Sequence, residues 1–318
     1  MTKKRDLRIV FMGTPDFAVT TLQTLLENDF NIVGVITAPD KPAGRGRKLN
    51  KSAVKTFAES KHLNILQPTN LKSDDFITEL KALKANLQIV VAFRMLPEIV
   101  WQMPKYGTFN LHASLLPNYR GAAPINWAII NGEEKTGVST FFIDKKIDTG
   151  EMILQEELEI TPDENAGSLH DKLMIIGSEL VIKTVKLIET DKVKTTPQPE
   201  DAISKTAYKL NKNNCKIDWT ASIDTIYNKI RGLSPYPAAW CELHNGDAVL
   251  DVKIYTTEKE IKEHKHDIGS IVFSKKEVKV SVKEGFIKIL DIKLPGKRTM
   301  DVKSLLNGYH FENDAKML

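Results

Sequence analysis

Apolar residues recur along the first half of the chain in two alternating rhythms. LRIVFMG (7–13) is a short apolar run ending in Gly, as in strands buried on both faces, and NIVGVIT (31–37), LQIVVAF (87–93) and TFNLHA (108–113) read as further strands. Between them, apolar residues fall three and four apart. Residues 16–29 put Phe17, Leu22, Leu25 and Leu26 on one stripe, and 52–62 and 73–84 read as further helices, the latter with Ser73 as its N-cap. This alternation predicts an α/β fold: a Rossmann-like, mostly parallel sheet with helices on both faces. Strands at 137–144 and 152–160 extend it. A helix over 167–189 would carry Leu169, Leu173, Ile176, Leu180 and Leu187 on one face.

The stretch TTPQPED (195–201) is polar and Pro-containing, and reads as a linker. After a helix at 223–233 the rhythm changes to short alternating segments: AAWCELH, AVLDVKIYTT, GSIVFS, VKVSVKE and GFIKILDIKL, with turns at HNGD and KEG. Five such strands predict a small β-barrel. Two domains are therefore expected, over residues 1–200 and 201–318.

At 318 residues, with 42% hydrophobic and 27% charged, the composition excludes bulk disorder. No apolar run nears the roughly 18 residues that span a bilayer. The start, MTKKRDLRIVFMG, runs into a strand without a small-residue cleavage site, so no signal peptide and a cytoplasmic location are expected. Two cysteines, Cys215 and Cys241, are too few for a disulfide framework or a cysteine-built metal cluster. Residues 1–200 hold 25 basic and 25 acidic side chains; residues 201–318 hold 20 and 16, so the whole net charge of +4 sits in the C-terminal third. That unevenness fits an anionic partner, and equally a solvated surface.

The segment GTFNLHASLLPNYRGAAP (107–124) carries the most chemistry. Asn110 and His112 lie two apart on a strand and so share a face. They sit at its carboxyl end, where open α/β sheets bind ligands. An amide beside an imidazole suits a carbonyl whose oxygen becomes an anion during acyl transfer. A strand-terminal Asn and a satisfied, partly buried His fit these residues too. Asp148, in the turn KKIDTGE, could fix the tautomer of His112 and favour its protonated form. Spacing alone does not join them, and an Asx-turn role is open. The loop APDKPAGRGRKLN (38–50) gathers Lys41, Arg45, Arg47 and Lys48 with two glycines, as a phosphate-contacting element would, although a solvated loop is as compatible. It lacks the Walker order, and GTPDFA lacks G-x-G-x-x-G, so a dinucleotide site is poorly supported. His264 and His266 have no further metal ligand near them in sequence, and the four tryptophans are scattered.

MGTPDFA, PDKPAGRGRKL, NLHASLLPNYRGAAPINWAI and IDTGE together resemble the methionyl-tRNA formyltransferase family, from about residue 7 to LPGKRTMDVKSLLNG (294–308). The resemblance implies 10-formyltetrahydrofolate as formyl donor, initiator methionyl-tRNA as acceptor, a monomer, and no metal. It implies catalytic roles for Asn110, His112 and Asp148. Ser114, Leu115, Leu116 and Pro117 resemble the folate-binding stretch. Lys41, Arg45, Arg47 and Lys48 are similar to the loop that enters the tRNA acceptor end, and the C-terminal domain resembles an OB-like barrel that contacts tRNA. One departure stands out: VVAFRMLP replaces a pattern closer to VVAYGxILP. Arg94, with Met95 and Leu96, is expected at the folate pocket, with Arg94 on the glutamate tail or facing solvent. The alternatives are a glycinamide ribonucleotide or amino-sugar formyltransferase, a formyltetrahydrofolate hydrolase, and a non-catalytic RNA-binding relative.

Overall fold

Strand β1 (Ile9–Gly13) is buried along its whole length, as its unbroken apolar run demands. In the computed structural model, which describes residues 4–43, 48–199 and 205–318, it sits inside a seven-stranded sheet. β2 (Ile32–Ile36), β3 (Ile65–Leu66), β4 (Leu87–Val91) and β5 (Thr108–His112) continue β1 in parallel. β6 (Lys135–Phe142) pairs antiparallel with β5, and β7 (Met152–Glu159) is outermost. The order is β7–β6–β5–β4–β1–β2–β3. The chain runs outward from β1 through β2 to β3, then returns to the other side of β1. Strand order thus reverses between β1 and β4, which opens a crevice at their carboxyl ends.

Helix α1 (Asp16–Glu27) buries Phe17, Leu22 and Leu25 against the sheet, while Leu26 is half-buried. Helix α2 (Ala53–Ser60) is capped by Ser52, whose hydroxyl accepts from the Lys55 amide at 3.0 Å. Helix α3 (Asp74–Ala82) begins after Ser73 as expected, but that hydroxyl donates to the Asn70 carbonyl and leaves the helix uncapped. Helix α4 (Ala166–Glu189) passes over β5 and β6. A Cβ on its Gly177 would stand 3.0 Å from Leu111 Cδ2, and its Thr184 hydroxyl lies 2.8 Å from that of Thr140. A small residue there lets the helix approach closely.

The chain divides into two compact units: Met1–Gly121 with Thr136–Leu158 and His170–Lys205, and Ala122–Lys135 with Glu159–Leu169 and Thr206–Leu318. The second takes two segments from upstream of residue 200. Its five expected strands are β8 (Ala239–Asn245), β9 (Ala248–Ile261), β10 (Ile271–Phe273), β11 (Val278–Val282) and β12 (Gly285–Lys293). A sixth, β13 (Lys316–Met317), pairs with β8. Ser270 bridges to Lys316, and the Met317 amide donates to the Gly269 carbonyl at 2.8 Å. The sheet thereby nearly closes into a barrel, which covers most of its open edges. Helix α5 (Ile223–Leu233) contributes Ile223, Ile226, Ile230 and Leu233 to the barrel core. No described helix is long and apolar enough to cross a membrane.

Cys215 and Cys241 lie in this core at 3% and 0% exposure. Burial pushes both thiols up, that of Cys241 to about 12. Both therefore stay protonated and inert in the native protein. A disulfide reagent at pH 8 is expected to label neither in buffer and both in guanidinium. Because the folded thiol of Cys241 holds its proton above its ordinary value, its contribution to stability is intact below about pH 9 and is lost as pH rises toward 12.

Candidate active site

β5 ends at the same sheet edge, one strand beyond β4 from the reversal crevice, with Asn110 half-buried and His112 at 7% exposure. Asn110 pairs in register with Val90 and Phe141, and His112 with Ser139, so neighbouring strands fix both backbones. The Asn110 amide has no hydrogen-bond partner among the described residues. His112 Nε2 lies 2.8 Å from the carbonyl of Tyr119. A carbonyl only accepts, so Nε2 carries the proton and the lone pair of the neutral ring sits on Nδ1. The group that sets the tautomer is thus a backbone carbonyl, a partner invisible in side-chain chemistry.

That carbonyl is aimed by the loop after β5. Tyr119 adopts φ +61 and Gly121 φ +122. Ser114 is fully buried, and its hydroxyl donates to the Asn118 carbonyl at 2.7 Å. The Ser139 hydroxyl donates to the Ser114 carbonyl and accepts from the Leu116 amide. Of the stretch expected to bind folate, Ser114 and Leu116 are therefore packed into the protein, while Leu115 and Pro117 remain partly exposed.

Asp148 lies between β6 and β7 with φ +56. Its Oδ2 is 3.8 Å from His112 Nδ1 and accepts from the Gly121 amide at 3.0 Å. The first distance is too long for a hydrogen bond, but an imidazolium there would feel a full negative charge. The Asx-turn role falls to Asp144, whose carboxylate accepts from the Lys146 amide and the Thr149 hydroxyl. Asp148 is left facing the histidine. Gln198, in the stretch read as a linker, donates to the carbonyls of Asp148 and Gly150 at 3.0 and 2.8 Å. Its Oε1 accepts from Arg120 at 2.6 Å. No local signal marks this residue; only its buried position shows that it belongs to the site.

Arg94, Met95 and Leu96 follow β4 at the same sheet edge. The Arg94 guanidinium donates to the carbonyls of Pro68 and Thr69 and lies over the Phe93 ring. Met95 is 71% exposed, whereas Leu96 is buried in the core. The basic segment is a hairpin, not an open loop: Lys41–Ala43 pairs antiparallel with Lys48–Asn50. It leaves the carboxyl side of β2. Lys41 is exposed; Arg45 and Arg47 lie outside the described residues. At the hairpin's root, Asp40 binds Lys55 and Gln67, and the Lys55 ammonium holds its carboxyl below the usual carboxylate range.

A family model described as Formyl transferase matches residues 7–185, and a second, described as Formyl transferase, C-terminal domain, matches residues 209–310. The chain belongs to the formyltransferase family. It is similar to proteins named methionyl-tRNA formyltransferase: 62% identical to that of Flavobacterium johnsoniae, over 98% of this chain and 99% of that protein. It is 54% identical to that of Bacteroides fragilis, over 99% of each. Among solved structures it resembles a sugar 3N-formyl transferase crystallised with dTDP and 5-N-formyl-THF, with TM-score 0.63 and 22% identity over 92% of this chain and 100% of that one. A Helicobacter canadensis N-formyltransferase gives TM-score 0.62 and 21% identity over 89% and 98%.

The turn that presents Asp148 leaves no room at Gly150, where a Cβ would stand 1.7 Å from the Phe142 carbonyl oxygen. Gly150→Ala is expected to cost about 2 kcal/mol or more. Gly308→Ala, with nothing within 4 Å of the new methyl, serves as the neutral control. Denaturant unfolding of both variants checks this.

Proposed function

We propose that this protein transfers the formyl group of 10-formyltetrahydrofolate to the α-amine of methionyl initiator tRNA. The observation that supports the reading is the Asp148 carboxylate 3.8 Å from Nδ1 of His112, a histidine two residues after Asn110 on the same face of β5. The near full-length identity to proteins named methionyl-tRNA formyltransferase supports this acceptor over amino sugars, whose structural neighbours share only 22% and 21% identity. A glycinamide ribonucleotide acceptor has less support: the Symbiobacterium toebii transformylase matches 61% of this chain.

In this scheme the methionyl amine attacks the formyl carbon. The Asn110 amide, without a hydrogen-bond partner among the described residues, donates to the developing oxyanion. His112 takes a proton on Nδ1, the ring nitrogen not committed to Tyr119, and shares the charge stabilisation. Asp148 steadies the imidazolium and assists proton movement from the amine to the folate nitrogen, whose bond to the formyl carbon then breaks as tetrahydrofolate leaves. Leu115, Pro117, Arg94 and Met95 face the folate, while Ser114, Leu116 and Leu96 shape the pocket from behind. Lys41, Arg45, Arg47 and Lys48 take the acceptor end of the tRNA. The catalytic domain lies within residues 1–200, and the barrel that contacts tRNA lies within residues 201–318, in a protein acting as a cytoplasmic monomer. The donor is already activated, so the scheme calls on no metal.

Labelled formyl transfer tests this, with initiator methionyl-tRNA, glycinamide ribonucleotide, an amino-sugar nucleotide and water as acceptors. Label is expected in the tRNA alone; preferential labelling of another acceptor overturns the reading. His112→Ala and Asn110→Ala should each lower kcat by about 10²–10³-fold with the fold intact. Near-normal turnover by His112→Ala would remove the mechanism.

Replacing Arg45 and Arg47 together by Ala is expected to weaken tRNA use and flatten its dependence on salt, with donor binding unchanged. Steady-state kinetics across an ionic-strength series checks this. Equal loss of donor and tRNA binding would count against the hairpin's role.

A further inference from the structure

Gln198 is a neutral side chain at 7% exposure whose amide is saturated. Nε2 donates to the Asp148 carbonyl at 3.0 Å and the Gly150 carbonyl at 2.8 Å. Oε1 accepts from Arg120 Nε at 3.2 Å and Nη2 at 2.6 Å. With two donors and one oxygen, the side chain has no capacity left for a ligand. It is nonetheless tied to both sides of the carboxylate that faces His112. On one side it grips the main chain of Asp148 and Gly150. On the other it holds Arg120, whose neighbour Gly121 donates its amide to Asp148 Oδ2 at 3.0 Å.

Asp148 needs such a grip. Aspartate tolerates φ +56 better than most side chains, but the conformation is a minority one, and the two bonds to the turn's carbonyls hold it. Anchoring of the 195–199 segment does not depend on Gln198. Met152 and Thr196 already exchange two backbone hydrogen bonds at 2.9 Å, two residues upstream. The glutamine therefore adds little to attachment and much to the shape of the 148–150 turn.

We propose that Gln198 is a positioning residue for the reaction: it holds Asp148 in the conformation that keeps the carboxylate 3.8 Å from His112 Nδ1. The inference rests on the reading of Asn110, His112 and Asp148 as the formyl-transfer site. Gln198 touches neither substrate and acts through the turn. Its two N–H groups carry the function, because they meet the two carbonyls of the turn. A carboxylate at this position would keep the acceptor for Arg120 but set a negative charge against both carbonyls.

The test uses full-length protein and the variants Gln198→Ala, Gln198→Glu and Asp148→Asn, with the Gln198→Ala/Asp148→Asn double variant. Both Gln198 variants should lower kcat by about 10- to 100-fold while KM for 10-formyltetrahydrofolate and for methionyl-tRNA stays within about 2-fold. On the Asp148→Asn background, Gln198→Ala should change kcat by less than about 2-fold, since both act through one carboxylate. Amide hydrogen exchange at Gly121, measured without substrate, should speed up at least about 10-fold in Gln198→Ala as the turn opens. Wild-type kcat in Gln198→Ala, fully additive losses in the double variant, or unchanged exchange at Gly121 would each overturn the proposal. Retained activity in Gln198→Glu would overturn the assignment to its N–H groups. Gln198→Glu keeps the side-chain volume and serves the same exchange and kinetic readings if alanine costs the fold. If the wild-type protein formylates no acceptor, the functional reading fails, and Gly121 exchange still decides whether Gln198 sets the turn.

Discussion

The hydrogen bond from His112 Nε2 to the Tyr119 carbonyl is the constraint from which the site follows. To place that carbonyl against a ring seven residues upstream, the chain must reverse directly after β5. The reversal takes two left-handed residues, Tyr119 and Gly121, and a buried serine that ties off the Asn118 carbonyl. Once the loop is turned this way, the Gly121 amide points at Asp148 and fixes the carboxylate. One bond thus sets the histidine tautomer, and the loop that supplies it also seats the acid. A loop free to straighten would release the ring and the carboxylate together.

The parts legible in the sequence are those whose cause is local. Strand β1 is buried on both faces and shows as an unbroken apolar run, and β4 and β5 are mostly buried and show as largely apolar segments. Asn110 and His112 show because the period of a strand is two and the carboxyl edge of a parallel sheet is a defined place. Five barrel strands show through alternation and turns. The closing strand does not, because two residues, Lys316 and Met317, are too few to carry a pattern. Tyr119 could not be read as a partner of His112, since its contribution is a main-chain oxygen common to all residues. Gln198 was hidden more thoroughly. A polar, proline-flanked stretch has the composition of a linker, and only tertiary contact turns its glutamine inward. Asp148 was visible as a turn aspartate, yet Asp144 carries the turn chemistry that its own position suggested.

The charge surplus of the C-terminal third also takes a different form once located. Lys212, Lys216, Lys259, Lys279, Lys288 and Lys316 each pair with a carboxylate on the barrel surface. Such exposed pairs add little stability and cancel one another's field. Lys253 and Lys293 stand opposite each other across β9 and β12, and neither has a carboxylate partner among the described residues. Trp240 pairs with Lys253 in the same row, with the ammonium groups of Lys212 and Lys216 at 4.5 and 5.3 Å from its ring. Ion pairs thus neutralise part of the charge on the barrel surface, while Lys253 and Lys293 place two cations without carboxylate partners among the described residues side by side on neighbouring strands.

The fold divides the labour of the three central side chains between committed and uncommitted atoms. His112 spends Nε2 on Tyr119, and Asp148 spends Oδ2 on Gly121. The Asn110 amide, His112 Nδ1 and Asp148 Oδ1 have no hydrogen bond among the described residues. These uncommitted atoms comprise two N–H donors and an amide oxygen, a proton-accepting nitrogen, and a carboxylate oxygen. The committed atoms are all held by main chain, and main chain in packed loops moves less than a side chain on the surface. The protein thus fixes each group through one atom and leaves another for chemistry. Such an arrangement can stabilise charge without reorganising when charge appears, which is the condition under which a few fixed dipoles are worth most.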